Sequence, residues 1–368
     1  MKIQYALIPF TIGLLIMGVL ACSSSAEMVE VIKEIEKSDE VTTDPGELVI
    51  YSGRKESLIG PIIEQFEAYT GIEVKIKYGS SAPMAALLME EGDKTPADIF
   101  YAQDPGAIGS VENMLKPINT NVLMDTLTDH NGTTSEFDVI PTWAKSPQGL
   151  WTGITGRARV VVYNTKELSE ADLPDTMQGF CDKKWRGRIG WAPSNSSFQT
   201  MVTAMRQEWG ELKTKGWIEC IRDNDAKVYF QNTPQVEAVA KGEIDVGFVN
   251  HYYLYKFVLD TAVSDDFSAA NYYLRGGGPG SIIMVSAVGI LKTTQNTENA
   301  EQFIKFMTSE FAQSYFSNST REYPLANGIN THPLIPPFDT IIRPNISLAS
   351  LSDMLGSAEM LKTAGVLD

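Results

Sequence analysis

Short apolar runs alternate with amphipathic stretches over the part of the chain that follows the N-terminal segment. The runs at 47–51, 72–78 and 97–101 predict strands, and apolar residues at helical spacing over 56–69 and 84–91 predict helices. This strand–helix order predicts a parallel sheet with helices on its faces. Because ligands of such sheets bind beyond the carboxyl ends of the strands, the loops that follow these strands are a candidate site.

The middle and end of the chain continue the alternation. Residues 160–163 are a continuous β-branched run, suited to a central strand, which we expect to cross from a first lobe to a second. A glycine-rich turn at 276–280 is expected to return the chain to the first lobe. The other predicted elements are a turn and strand at 185–191, strands at 227–229, 269–274 and 282–291, and helices at 199–209, 233–241, 300–309 and 348–364.

Two adjacent tyrosines, Tyr252 and Tyr253, lie where a predicted strand at 244–249 ends and a predicted helix at 255–259 begins. Neighbouring side chains on a strand point to opposite faces, whereas in the first turn of a helix they diverge by only about 100° and can face one ligand. Phenolate oxygen is a hard donor, and a highly charged cation lowers the pKa of a bound phenol. We therefore hypothesise that both tyrosines bind a ferric ion. The alternative is that they are half-buried aromatic residues packing the start of a helix.

A cluster of small polar residues, Asn195, Ser196 and Ser197, precedes the predicted helix at 199–209. Such a cluster caps the helix at the least. Because the first N–H groups of a helix are free and carry partial positive charge, the same cluster can also hold an anion. The sequence leaves both roles open.

The first 22 residues have the features of a leader peptide. A lysine provides positive charge, residues 5–20 are mostly apolar, and the following Ala21-Cys22 completes a sequence that resembles a bacterial lipobox. We expect cleavage before Cys22, lipidation of Cys22 and export. The alternatives are an ordinary secretory signal with a chance cysteine or an uncleaved anchor. Residues 23–46 are predicted to be a tether that holds the globular part off the membrane.

The composition narrows the classes of function. A formal net charge of −16 argues against a nucleic-acid-binding protein but does not exclude a cation or metal chelate as ligand. Three histidines in all, with no CxxC or HExxH motif, argue against a zinc or copper site of the usual kind. The length beyond the tether exceeds what one hydrophobic core usually supports and predicts two lobes. Export would allow Cys181 and Cys220 to form a disulfide, and two buried free thiols are the alternative.

Several long motifs, in order along the chain, resemble the periplasmic ferric-iron-binding proteins of ABC importers, over roughly residues 48–368. The motifs are IYSG at 50–53, EGDKTPADIFY at 91–101, GRARVVVYN at 156–164, NHYY at 250–253 and EYPL at 322–325. The resemblance implies an α/β fold, the type II periplasmic binding protein, with two α/β lobes joined by hinge strands. The first lobe would comprise 47–155 and 282–335, and the second 156–281 and 336–368.

The resemblance also implies roles for individual residues. Tyr252 and Tyr253 fill the adjacent tyrosine pair that is the family's iron-ligand signature. Arg157 matches an arginine that binds carbonate in some members, with an interlobe ion pair as the alternative, and Arg159 is expected to be structural and paired with a carboxylate. The residues expected to contact a synergistic anion are Asn195, Ser196, Ser197 and Asn250. The residues expected to line the cleft are Ser52, Gly53, Arg54, Gln103 and His251.

Three positions depart from the family's ligand pattern. Lys55 stands where some members have a histidine, Gln103 where they have a glutamate, and Phe198 where others have a third tyrosine. Asp104 is the nearest carboxylate and is predicted as a further metal ligand, with a plain turn residue as the alternative. Exogenous carbonate, phosphate or citrate would fill open positions. The other candidate phenols are Tyr51, Tyr101 and Tyr229.

The predicted function is that of a lipid-anchored substrate-binding protein of an ABC transporter, and not that of an enzyme. It would capture ferric iron, with a synergistic anion or as a chelate, in the cleft between the lobes and deliver it to a membrane permease with its ATPase. It would act as a monomer at the cell surface or in the periplasm. Its membrane contact would be through the lipid anchor, and it would have no nucleic-acid partner.

Two other functions stay open at this point. A binding protein of the same fold for a small organic anion or phosphonate is favoured by the missing histidine and glutamate, with Arg54, Lys55 and Arg157 available as cations. A surface-anchored hydrolase is supported by His251 beside the candidate site. Against the hydrolase, the sequence has no nucleophile elbow and no P-loop.

Overall fold

The computed structural model describes residues 45–128, 134–259 and 267–367. The predicted leader, Cys22 and the tether up to residue 44 lie outside the described residues. From Gly46 onward the described chain is one compact unit. Among its helices, none combines the length and apolarity that a membrane crossing requires.

The described regular elements follow the predicted strand–helix alternation. The strands are β1 (Glu47–Ser52), β2 (Glu73–Tyr78), β3 (Ile99–Ala102), β4 (Leu115–Lys116), β5 (Met124–Thr128), β6 (Thr134–Asp138), β7 (Trp151–Asn164), β8 (Ile189–Trp191), β9 (Lys227–Val228), β10 (Val246–Asn250), β11 (Ala269–Tyr272), β12 (Ile283–Leu291) and β13 (Tyr323–Pro324). The helices are α1 (Glu56–Thr70), α2 (Ser81–Glu91), α3 (Pro105–Ser110), α4 (Ser196–Trp209), α5 (Glu211–Asp223), α6 (Asn232–Ala240), α7 (Tyr255–Val258), α8 (Thr297–Met307), α9 (Glu310–Tyr315) and α10 (Met354–Thr363).

An eleven-stranded sheet runs through the described chain in the order β2-β1-β3-β12-β7-β10-β8-β9. β1 pairs in parallel with both β2 and β3, which confirms the parallel sheet predicted for the first part of the chain. β12 returns late in the sequence and inserts antiparallel between β3 and β7. The remaining strands β4, β11 and β13 attach to β12 or β7, and β5 and β6 form a separate hairpin.

The long strand β7 joins two groups of strands. Its first part, up to Ala158, pairs with β12, and its last part, from Arg159 to Asn164, pairs with β10 and β11. All fourteen residues of β7 are buried. The strand predicted to cross between lobes is therefore confirmed, and β7 and β12 are hinge strands between two α/β lobes. The exact boundaries of the lobes stay a prediction.

Helix α1 buries the apolar face that the sequence pattern indicates. In α1 the buried residues are Leu58, Ile59, Ile62, Ile63 and Phe66, at helical spacing. The helix ends at Gly71, which has a φ of 75° and donates its N–H to the carbonyl of Glu67. A residue with a side chain is disfavoured in that left-handed conformation, so the glycine fixes the end of the helix.

Several elements lie outside the sequence predictions, among them the hairpin β5–β6 and the helices α3 and α5. The hairpin β5–β6 and the short helix α3 have too few apolar residues to give a periodic pattern. α5 has a helical apolar spacing, with Trp217, Ile218 and Ile221 buried, but most of its other residues are polar. It carries Cys220, which forms a disulfide with Cys181 across a Cα–Cα distance of 5.4 Å.

Candidate metal centre

The two adjacent tyrosines share one turn. His251–Tyr253 form a single 3₁₀ turn between β10 and α7. The rings of Tyr252 and Tyr253 stack with centroids 4.2 Å apart and an interplanar angle of 29°. They are 2% and 4% exposed. As the helical geometry predicts, the phenols lie together on one side of the turn and not on opposite faces of a strand.

The Tyr252 hydroxyl has no hydrogen-bond partner among the described residues, although it is buried. Burial raises the pKa of Tyr252 well above its usual range, and Tyr253 raises it further. The nearby guanidinium groups of Arg54 and Arg157 act in the opposite direction. Since a buried hydroxyl without a partner costs about 1–3 kcal/mol, this arrangement favours a ligand that binds the oxygen.

Arg157 faces the same site from β7 and is fully buried. None of its three guanidinium nitrogens has a hydrogen-bond partner in the described part of the chain. A buried charge without a partner costs several kcal/mol, so the position calls for an anion. The interlobe ion pair that was the alternative for Arg157 is absent from the described residues, where no carboxylate lies within ion-pair distance of it.

Arg159, two residues further along β7, has a different environment. Its Nη1 donates to Asn232 Oδ1 at 3.3 Å and to Asn250 Oδ1 at 3.2 Å, and its Nη2 donates to the carbonyl of Phe248 at 2.8 Å. The prediction of a carboxylate partner is therefore wrong for the described residues, because amide and carbonyl oxygens take that place. Burial lowers the pKa of Arg159 to about 9, and Tyr253 and Tyr252 oppose that shift.

The amides held by Arg159 order the predicted anion loop. Asn250 Nδ2 donates to Ser197 Oγ at 3.3 Å, and Asn232 Nδ2 donates to Asn195 Oδ1 at 3.4 Å. Asn195 Oδ1 also accepts from the N–H of Ser197 at 3.1 Å and caps α4. Ser196 is the first residue of that helix. The helix cap is confirmed, and the anion role stays a prediction. Asn232 is a site residue that the sequence did not indicate.

The loop after β1 carries a buried ion pair. Arg54 Nη2 lies 2.6 and 2.7 Å from the two carboxylate oxygens of Glu322, and both side chains are fully buried. Thr155 Oγ1 donates to the same carboxylate at 3.0 Å. Arg54 is therefore not a free cation for an organic anion, contrary to the expectation from the sequence. Glu322 belongs to the EYPL motif, but its partnership with Arg54 spans 268 residues and has no local signal.

The neighbouring backbone of this loop needs a glycine and a serine. Ser52 Oγ accepts from the N–H of Arg54 at 3.0 Å, which closes the turn. A Cβ atom on Gly53 would lie 1.9 Å from Ser81 Oγ, so no larger residue fits. Lys55 points elsewhere, because its Nζ donates to Gln231 Oε1 at 3.3 Å on the surface.

The loop after β3 holds Asp104 as a helix cap. Its Oδ1 accepts from the N–H of Ala107 at 2.9 Å and from Thr200 Oγ1 at 3.3 Å. Its Oδ2 is buried without a hydrogen-bond partner among the described residues. The capping role is established by these contacts, and the metal role of Asp104 stays a prediction. The preceding residue, Gln103, donates its backbone N–H to Ser81 Oγ at 2.7 Å.

His251 is a structural residue of the site. Its Nδ1 accepts from the N–H of Ala158 at 3.1 Å, so the Nε2–H donates to the carbonyl of Arg321 at 2.7 Å. Burial lowers the pKa of His251 to about 4. Because both ring nitrogens are held by the backbone, His251 has none free to act as a base. The hydrolase hypothesis loses its support.

The other candidate oxygen donors lie in different environments. Tyr51 donates its hydroxyl to Glu91 Oε1 at 3.0 Å. Tyr229 is half-buried, and burial together with the nearby charge of Glu243 raises the pKa of its phenol. Tyr101 is fully buried in the vicinity of Arg54 and Arg157. The Phe198 ring packs edge-on against Trp191 and offers no donor. Within the described ranges, no group of three or more His, Cys, Asp or Glu side chains is placed to hold a metal ion.

Known proteins match this chain over most of its length. The family model described as bacterial extracellular solute-binding protein matches residues 94–337. The major ferric iron-binding protein of Neisseria meningitidis serogroup A is 29% identical over 322 residues, covering 87% of this chain and 93% of that protein. The resemblance drawn from the sequence motifs is thereby confirmed.

Solved structures give the same result for the fold. Iron-bound HitA from Pseudomonas aeruginosa has a TM-score of 0.79 and 27% identity, covering 87% of this chain and 100% of that chain. A Trichodesmium protein (IdiA, FutA) in complex with iron and citrate ligands has a TM-score of 0.73 and 25% identity, covering 87% and 99%. The fold is that of the type II periplasmic binding proteins. Because the family model spans more than half of the sequence, the chain belongs to the family of bacterial extracellular solute-binding proteins.

Proposed function

We propose that this protein is the substrate-binding protein of an ABC importer and that it captures ferric iron between its two lobes. The observation that carries the proposal is the buried, stacked pair of Tyr252 and Tyr253 next to Arg157, a guanidinium without a partner among the described residues. A relative that matches most of the chain is named for ferric iron binding, and the structurally similar HitA is iron-bound, which supports the same conclusion.

The donor chemistry favours Fe(III) over a divalent ion. The described part of the chain offers no cluster of histidine, cysteine and carboxylate side chains, which zinc and copper sites use. It offers two phenols instead. The pKa of Tyr252 is raised by burial, so the phenol stays protonated until a highly charged cation displaces the proton. A ferric ion supplies that charge, and the phenolates of Tyr252 and Tyr253 would be its main protein ligands. Asp104 Oδ2 would be a further donor.

The net positive charge of the iron-loaded site would favour a synergistic anion. Arg54 and Glu322 neutralise each other. The guanidinium groups of Arg157 and Arg159 would balance two phenolates, and the positive charge of the ferric ion would remain. An anion on Arg157 and on the loop of Asn195, Ser196, Ser197 and Asn250 would reduce that excess. Carbonate, phosphate and citrate are the candidates, and citrate accompanies iron in the Trichodesmium structure.

Closure of the lobes would bury the iron and give the loaded protein a conformation different from that of the empty protein. Among the hydrogen bonds that join the predicted lobes are Thr200 Oγ1 to Asp104 Oδ1 and Lys55 Nζ to Gln231 Oε1, both at 3.3 Å. A ligand that bridges the lobes stabilises such a closed form. A membrane permease with its ATPase would receive the iron from this form. Lipidation of Cys22 would keep the monomeric protein at the membrane surface, and the protein would carry out no catalysis.

A visible absorption titration of the purified, lipid-free protein with a weak ferric chelate tests the proposal. Phenolate bound to Fe(III) gives an intense charge-transfer band, so we expect a band that saturates at one iron per protein. The variant Tyr252→Phe/Tyr253→Phe should lose the band and keep its fold, since each change removes one oxygen. Carbonate, phosphate and citrate are each added in separate titrations, and Arg157→Met should lose the dependence on the anion.

Absence of the band under all of these conditions would refute the role in iron binding. The same protein would then be screened with small organic anions and phosphonates by thermal shift. A stabilisation that requires Arg157 but neither tyrosine hydroxyl would support the alternative cargo.

A further inference from the structure

Tyr101 occupies the carboxyl end of β3, next to the loop that carries Arg54. It pairs in register with Ser52, and its carbonyl accepts from the N–H of Gly53 at 2.8 Å. The side chain is fully buried, and its hydroxyl makes no hydrogen bond of ordinary geometry in the described part of the chain, although the Ser286 side chain is near enough to lower the pKa of the phenol. Because an unpaired buried hydroxyl costs about 1–3 kcal/mol, its burial at the carboxyl end of β3 favours a ligand that binds the phenol oxygen.

The charged groups around Tyr101 are those around Tyr252. Arg54, Glu322 and Arg157 all act electrostatically on the Tyr101 phenol, and the same three groups act on the Tyr252 phenol. Tyr51 and Tyr229 have other neighbours, Glu91 and Glu243. Tyr101 therefore lies near the same three charged groups as Tyr252.

We propose that Tyr101 is a third phenolate ligand of the ferric ion, supplied by the first lobe; this inference rests on the proposed iron function. Tyr101 would provide a ligand that Lys55, Gln103 and Phe198 cannot provide, because those side chains offer no phenolate, carboxylate or imidazole. Phenolate is a hard oxygen donor of the kind that a ferric ion prefers. On binding, the O–H bond of the phenol breaks, an Fe–O bond forms, and the proton passes to solvent.

This assignment gives the metal a structural role as well. β3 and the turn after β10 lie on opposite sides of the hinge strands β12 and β7 in the sheet order. An ion held by Tyr101 from one side and by Tyr252 and Tyr253 from the other would tie the two lobes together. Iron binding would then drive closure directly through protein ligands, and not through the anion alone.

The iron titration provides the test, with Tyr101→Phe and a matched control. Tyr273→Phe is the control because the Tyr273 hydroxyl is also buried, but the groups that act on it are Tyr323 and Tyr255. We expect Tyr101→Phe to lower the charge-transfer absorptivity per bound iron by about one third, since one of three phenolates is lost. Tyr273→Phe should leave it unchanged. Iron-loaded Tyr101→Phe should also be less compact by small-angle X-ray scattering.

A count of tyrosinates by ultraviolet difference spectroscopy makes the test independent of any variant. Wild-type protein should ionise about three phenols per iron bound, each through contact with the cation. A count of two ionised phenols per iron in the wild type would overturn the assignment of Tyr101 as a ligand, and so would an absorptivity per bound iron that Tyr101→Phe leaves unchanged. Neither result would refute the iron function. Absence of the band in the wild type would instead refute the iron function itself.

Discussion

Arg157 and Arg159 offer a matched pair of perturbations. They lie two residues apart on β7, so both side chains are on the same face of the strand, and both are buried. The guanidinium group of Arg157 makes no hydrogen bond to the described residues, whereas that of Arg159 makes three. Methionine keeps the apolar stem of arginine and removes the charge. We therefore predict that the same substitution has opposite effects on stability at the two positions.

The magnitudes follow from the contacts. Replacement of buried charged groups by apolar side chains of similar volume is often stabilising, by about 1–4 kcal/mol. At about 1–2 °C per kcal/mol for a chain of 368 residues, Arg157→Met should raise the Tm of the metal- and anion-free protein by about 1 °C or more. Arg159→Met leaves three buried oxygens without a donor, on Asn232, Asn250 and Phe248. At about 1–3 kcal/mol each, the Tm should fall by about 3 °C or more.

Differential scanning calorimetry of the wild type and both variants, with and without phosphate, measures these shifts. Phosphate should raise the Tm of the wild type and should leave Arg157→Met unchanged, because the anion has lost its partner. Small-angle X-ray scattering on the same samples reports how far the lobes are open, since opening would hydrate Arg157 and reduce the gain. A fall in Tm of similar size in both variants would refute the reasoning, because Arg157 would then have partners that stabilise it.

Three further predictions concern the loop after β1, the disulfide and pH. Gly53→Ala should destabilise the protein because its Cβ would meet Ser81 Oγ at 1.9 Å. Gly216→Ala in α5 is the control: nothing lies within 4 Å of the added carbon, so this change should stabilise the protein by about 0.5–1 kcal/mol. Equal effects of the two changes in urea denaturation would contradict the packing argument. Replacement of Cys181 and Cys220 by alanine should lower the free energy of unfolding by about 4 kcal/mol, because the disulfide closes a loop with a sequence separation of 39. A reductant should produce the same loss of stability in the wild type and no loss in the variant. The pKa of His251 falls from 6.5 to about 4 on folding, chiefly through burial, with Glu322 opposing and Arg157 reinforcing the shift. The unfolded chain therefore binds more protons between these values, and the stability of the metal-free protein should decline by about 3 kcal/mol as the pH falls from about 6.5 to 4. His251→Gln should remove that slope, and an unchanged pH profile in this variant would exclude His251 as its source.

Local chemistry made much of the fold predictable. The last part of β7 was indicated by the β-branched run at 160–163, the end of α1 by Gly71, and the tyrosine turn by its place between an apolar run and a short helix. The cap of α4 at Asn195 is likewise a local feature, because its side chain bonds a backbone N–H two residues away. Such features depend on interactions within a few residues, which the sequence displays directly.

Interactions between distant residues were not predictable in the same way. Arg54 and Arg157 look alike in the sequence as cations near the cleft, yet Arg54 is neutralised by Glu322 and Arg157 has no partner among the described residues. The partner of Arg159 was expected to be a carboxylate, and the structure provides Asn232 and Asn250. The pairing of β12 between β3 and β7 is of the same kind, since its neighbours come from much earlier in the chain.

The sequence by itself determined the α/β class, the crossing strand, the resemblance to ferric-iron-binding proteins and the tyrosine pair. Each of these depends on periodicity, on adjacent residues or on motifs in order. Only the tertiary structure decided which buried polar groups have partners and which do not. The cost of burying a charge or a hydroxyl depends on what lies within about 3 Å of it, and that distance is set by the packing of elements far apart in the chain. Tyr101 and Arg157 therefore stand out as candidate ligand-binding groups once the fold has placed them.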